Sequence, residues 1–144
     1  MIAIFLTLLG VLVSDQALKQ KFRRIMGRDV TSLGPFGQLR ITEGRLWLVR
    51  LRNDLSRSMM WSSWMAAAAA LVIASSWIPS SAVFVGLLLG GSLSNAADSF
   101  RRGSVTDYVC LRFWPAFNLA DLALAAGAIG TLAELAIAVR ETAS

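Results

Sequence analysis

Between Ser81 and Val139 the chain writes two long apolar runs, about 81–98 and 118–139, and sets three aspartates, Asp98, Asp107 and Asp121, around the place where one ends and the next begins. Two more apolar runs, about 1–18 and 59–77, come before them. A run of about 20 apolar residues is long enough to cross the hydrocarbon core of a bilayer as a helix. A segment inside lipid must satisfy its own backbone donors and acceptors, which a helix does residue by residue. The expected fold class is therefore an all-α membrane protein, a single domain over 1–144 with four transmembrane helices. Only 16% of the residues are charged, against roughly 25% in ordinary soluble domains. The run 1–18 has no basic residue ahead of it and no small-residue cleavage pattern after it, so it reads as an uncleaved first helix and not as a signal peptide.

The connections carry weaker signals. Pro79 marks a short turn between the second and third runs, which predicts antiparallel neighbours. Trp61, Trp64 and Trp77 lie near the ends of the second run, where indole rings favour the interface. Gly86 and Gly90, continued by Ser94, and Ala123, Gly127 and Thr131 have small-xxx-small spacing, expected to draw the third and fourth helices together. In the polar segment, Gln38–Thr42 and Arg45–Arg52 have strand-like composition joined by Glu43-Gly44. They predict a β-hairpin at the membrane surface, within a cradle over about 29–57 between the first two helices. The alternative is one interfacial helix over Leu46–Leu55.

Composition narrows the chemistry. The net charge of +5 comes from residues placed between apolar runs, which points to anionic lipid headgroups as partners and to no nucleic acid. One cysteine, Cys110, and no histidine exclude an internal disulfide and leave no zinc set of the usual kind. No metal and no cofactor are expected, so any reaction must use carboxylates, amides, hydroxyls and water. An ionisable group in a membrane span costs at least about 2.5 kcal/mol, which makes it a functional-site candidate. Asn95 and Asp98, and likewise Asn118 and Asp121, are three residues apart, so each amide shares a helical face with its aspartate. The competing reading makes the aspartates helix-end residues paired with Arg101, Arg102 or Arg112. If two of the carboxylates converge in a water-poor site they must share a proton, and such a pair can activate water against a peptide carbonyl.

Four stretches then carry a family likeness: Asp15-Gln16-Ala-Leu-Lys19, Gly90-Gly-Ser-Leu-Ser-Asn95-Ala-Ala-Asp98, Arg102-Gly103-Ser-Val105-Thr-Asp107-Tyr108 and Trp114-Pro115-Ala-Phe117-Asn118-Leu-Ala120-Asp121. In this order they resemble lipoprotein signal peptidase, the type II signal peptidase of bacteria. The resemblance implies an intramembrane aspartyl endopeptidase that cuts the signal peptide from diacylglyceryl-modified prolipoproteins. It implies a catalytic pair at Asp107 and Asp121, support or substrate binding by Asp15, Lys19, Gly44, Asn95, Asp98 and Asn118, and a monomer in the bacterial cytoplasmic membrane. The hairpin would correspond to the family's extracytoplasmic cradle.

Two positions depart from the family pattern. Thr42-Glu43-Gly44 stands where Asn-x-Gly is usual, and Ser99 follows Asp98 where an arginine is usual. Both touch parts expected to face substrate, which suggests a specialised peptidase or, alternatively, an inactive relative that binds a membrane peptide or partner. The ten Lys and Arg residues from Lys19 to Arg57, with Arg101, Arg102 and Arg112, would place the aspartates in the cytoplasm by the positive-inside rule. The resemblance places them outside.

Overall fold

A computed structural model describes residues 1–26, 31–32, 34–44 and 54–143. Four long helices, α1 (Ile2–Met26), α2 (Asp54–Trp77), α3 (Ala82–Arg102) and α4 (Leu119–Thr142), are accompanied by a small sheet of β1 (Thr31–Ser32), β2 (Gly37–Gly44) and β3 (Val105–Leu111). Among the described residues, α1, α3 with the turn before it, and α4 are long and apolar enough to cross a membrane. Their outward side chains are apolar and exposed, with Phe5, Leu6, Ile129 and Leu132 each at least 60% accessible. Such a surface suits lipid and would be costly in water.

α3 is the central helix, and its small residues divide between two neighbours. A methyl group on Gly86 would meet the Ile4 carbonyl at 2.8 Å, and one on Gly90 the Leu8 carbonyl at 2.8 Å. That face packs on α1. Gly91, one residue on and about 100° around the helix, meets the Ala120 carbonyl of α4 at 2.6 Å, while Gly127 of α4 meets the Phe84 carbonyl at 2.8 Å. The stripe Gly86, Gly90, Ser94 therefore serves α1 and not, as its spacing suggested, α4. α2 closes the bundle through Trp64, whose indole donates to Ser92 Oγ at 3.0 Å, beside a core of Ile4, Val85 and Leu89. Pro79 opens a 3-10 turn at Pro79–Ser81 that leads directly into α3.

The sheet corrects the expected hairpin. β2 runs straight through Glu43 and Gly44, which lie opposite Thr106 and Val105, so no turn occurs there. Its partner is β3, the segment that carries Asp107, with Thr42 directly across from Asp107. The fold is thus mixed: helices with a small antiparallel sheet that includes part of the α3–α4 connection. The proposed second arm, Arg45–Arg52, and most of the alternative helix over Leu46–Leu55 lie outside the described residues. The chain reaches β3 because α3 stops at Gly103, whose φ of 75° lies in the left-handed region and whose N–H closes on the Ser99 carbonyl at 2.8 Å. A side chain there would be strained.

Candidate active site

Three elements bring carboxylates to one end of the bundle. α4 starts with Asn118 as its N-cap: Asn118 Oδ1 accepts from the Asp121 N–H at 3.0 Å, and Asp121 Oδ2 accepts from the Asn118 N–H at 2.9 Å. This reciprocal cap fixes the Asp121 carboxylate in the first helical turn. The same Asn118 side chain donates through Nδ2 to Asp107 Oδ1 at 2.8 Å. One residue therefore holds both acids. Asn95 of α3 completes the frame, donating to Asp121 Oδ1 at 2.9 Å and accepting from Lys19 Nζ at 2.9 Å. The amide at 95 thus serves the aspartate of the neighbouring helix and not Asp98 on its own.

Behind this pair lies a buried ionic cluster. Asp15 and Lys19, one turn apart on α1 and both fully buried, pair at 2.7 Å. Asp15 also accepts from Ser94 Oγ at 2.6 Å and from the Ala120 N–H at 3.1 Å, tying α1 to α3 and α4. Asp98 accepts from Arg23 at 2.7 Å and from the Thr106 N–H at 2.9 Å, with Lys19 at 3.6 Å and Arg102 at 3.3 Å. Arg23 donates as well to Thr106 Oγ1. The ion-pair reading thus holds for Asp98. Among the described residues it does not hold for Asp107 or Asp121, which are held by neutral amides.

Burial first, then the neighbouring Asp121 charge, push the Asp107 carboxyl from its ordinary 3.8 up to about 6. This is the behaviour of two acids that cannot both ionise cheaply. Next to it, Tyr108 stacks on Phe22 with ring centroids 4.6 Å apart and accepts from the Leu119 N–H at 2.9 Å. Its phenol is pushed to about 12, mainly by burial, and stays protonated. Among the described residues no group of three or more metal-ligating side chains is assembled.

Seven of the eight residues singled out from the sequence, Asp15, Lys19, Asn95, Asp98, Asp107, Asn118 and Asp121, join this one network. Gly44 does not. It lies at the end of the β2–β3 ladder opposite Val105. Gln16, Arg23, Ser94, Thr106 and Tyr108 are part of the assembly without having been named as site residues. Four of them sit inside the quoted stretches, so their neighbours were a signal. Arg23, seven residues beyond Gln16, was hidden in a run of basic residues.

Comparison with known proteins decides the family. The model for "Signal peptidase (SPase) II" matches residues 7–137. The chain belongs to the signal peptidase II family. Among curated members, the lipoprotein signal peptidase of Syntrophomonas wolfei is 33% identical over 100 residues, 62% of this chain and 67% of its own length. That of Pelotomaculum thermopropionicum is 52% identical over 44 residues, where the match spans 31% of this chain and only 29% of the relative. Two solved bacterial membrane enzymes share this chain's fold. One has a TM-score of 0.75 at 21% identity, covering 92% of this chain and 91% of the other; the second has 0.66 at 23%, covering 98% and 89%.

Proposed function

We propose that this protein is an aspartic endopeptidase of the bacterial cytoplasmic membrane that cuts the signal peptide from diacylglyceryl-modified prolipoproteins, with Asp107 and Asp121 as the catalytic pair. The observation that carries the reading is the Asn118 bridge, which holds two carboxyls that, among the described residues, have no cation in an ion pair with them, while the nearby Asp15 and Asp98 are each paired. Family membership supports the substrate class. In the reaction, ionised Asp121 removes a proton from a water whose oxygen attacks the scissile carbonyl carbon. Protonated Asp107 gives its proton to the carbonyl oxygen as that bond opens. Collapse of the tetrahedral intermediate returns that proton to Asp107, breaks the C–N bond, and passes the proton held by Asp121 to the departing amine. The pair thus ends as it began.

Asp15, Lys19, Asn95, Asp98 and Asn118 position the pair, and Gly44, with Thr42, is assigned to the strand along which substrate lies. In this reading α2 is the fourth spanning helix, the chain works as a monomer, and both termini are cytoplasmic with the pair near the outer face. The basic residues of the first connection, which would oppose this by charge counting, are taken to hold lipid phosphates on a folded surface element. The Thr42 and Ser99 departures are taken as narrowing the range of prolipoproteins cut.

The test is cleavage of a purified diacylglyceryl-modified prolipoprotein in lipid. Asp107→Asn and Asp121→Asn should each lower the rate by about 10²–10⁴, the usual worth of a general acid or base, with both variants folded and inserted. Full activity in either would remove the assignment. Orientation is tested with Asp54→Cys in a Cys110→Ser background: a membrane-impermeant thiol reagent should label it on intact cells.

A further inference from the structure

The proposed chemistry leaves one feature of the fold unused. Past Asp107, β3 continues to Leu111, and Phe117 then pairs back on Val109, its N–H donating to the Val109 carbonyl at 3.0 Å and its carbonyl accepting from the Val109 N–H at 3.0 Å. The intervening residues form a narrow finger that leads straight into the Asn118 cap. Its tip is apolar and bare: Phe113 is 90% exposed and Trp114 67%. Phe36, 76% exposed, lies beside it, because the Arg112 N–H donates to the Phe36 carbonyl at 3.2 Å. Arg112 lies over the Phe113 ring at 5.5 Å, and Arg40 is exposed on the adjoining strand. From Tyr108 to Ala120 there is no acidic residue.

Bare aromatic rings capped by arginine, in a finger whose own sequence carries no acid, suit the layer where a bilayer's phosphates meet its hydrocarbon. Geometry limits the distance. Trp114 is four residues from the N-cap of the spanning helix α4, so its backbone lies within about 14 Å of that helix end. The headgroup region is about 5–8 Å thick on each side of the hydrocarbon core. We propose that the Arg112–Pro115 tip, with Phe36, is an interfacial anchor that inserts its aromatic rings among the anionic lipid headgroups of the leaflet the carboxylate pair faces. By doing so it fixes the height of β3, and of Asp107 with it, relative to the membrane surface. This rests on the chain being a membrane protein of its family and, in its primary test, on no cleavage activity.

The primary test uses Phe113→Cys in a Cys110→Ser background, labelled with an environment-sensitive fluorophore and reconstituted without substrate in nanodiscs of phosphatidylglycerol and phosphatidylethanolamine. Nitroxide on the lipid headgroup should quench the label more strongly than aqueous acrylamide does. Quenching by acrylamide alone would overturn the anchor. So would headgroup quenching that appears only after a lipidated peptide is added, the mark of a lid on substrate, or only in discs with two copies, the mark of self-association. A second variant, Phe113→Ser with Trp114→Ser, alters exposed side chains and should still fold. It should cut bilayer-embedded substrate several-fold more slowly while leaving cleavage of detergent-dispersed substrate unchanged. Equal loss in both settings would overturn the positioning role, whereas no cleavage by the unaltered protein would count against the peptidase reading and leave the fluorescence result standing.

Discussion

Two groups of acids lie side by side in this molecule and are treated in opposite ways. Asp15 and Asp98 are buried, and each is matched by cations: Lys19 at 2.7 Å for the first, and Arg23, Arg102 and Lys19 at 2.7, 3.3 and 3.6 Å for the second. Asp107 and Asp121 are only half-buried, and the contacts that hold them come from Asn95 and Asn118. A buried charge with its counterion is useful as a peg between helices. A desolvated carboxyl held by neutral amides stays free to exchange its proton. The first group ties the helices together, and the second is the pair to which the proposed function gives the chemistry.

Removing a charge from each group should therefore have different consequences. The largest effect on stability is expected for Lys19→Met, which strands Asp15 in the interior without its cation. Breaking a buried pair from one side costs about 3–5 kcal/mol, and thermal unfolding in detergent should show it, with little folded protein recovered. Asp107→Asn should leave the same unfolding curve unchanged or shifted upward, because it relieves the repulsion with Asp121. If the two variants unfold alike, the division between the groups fails.

Arg23→Ala should come next. Asp98 keeps two cations, but Thr106 Oγ1 loses its donor, and a bond to a charged group is worth about 1.5–3 kcal/mol. Since Thr106 precedes Asp107, cleavage should fall with stability, and Arg23→Lys should recover only part of both, as a point charge replaces a planar fork. Smallest should be Thr42→Asn with Ser99→Arg. Neither position is a peg or a proton carrier, so the rate on a preferred prolipoprotein should hold while rates across a panel of others rise. No change on any substrate would make both departures neutral.

Much of this was legible in the sequence because it rested on periodicity and local spacing. The apolar runs gave helices, and the Asn118–Asp121 spacing set the amide beside its aspartate, though that this amide caps α4 and bridges to Asp107 came only from the structure. What could not be read depended on pairing between distant segments. β3 carries only seven residues, too few to announce themselves beside a long helix, and Glu43-Gly44 has turn chemistry but is straightened by pairing with Val105 and Thr106. Arg23 looked like one of many surface cations, and only the packing of α1 on α3 brings it to Asp98. The direction of the Gly86–Gly90 stripe was equally hidden, since spacing says that a neighbour approaches closely and not which one.

The sharpest test is direct titration of the carboxyls by carbon NMR on protein labelled at aspartate. Burial and Asp121 raise Asp107, so the folded chain holds this proton more tightly than the unfolded chain. Its contribution to stability is complete below pH 3.8 and is lost as the pH rises through about 6. The account predicts one aspartate resonance titrating near pH 6, absent in Asp107→Asn and moved to lower pH in Asp121→Asn, where the like charge is gone. A resonance that persists in Asp107→Asn, or an Asp107 that is ionised throughout from pH 4 upward, would contradict the claim that these two acids share a proton.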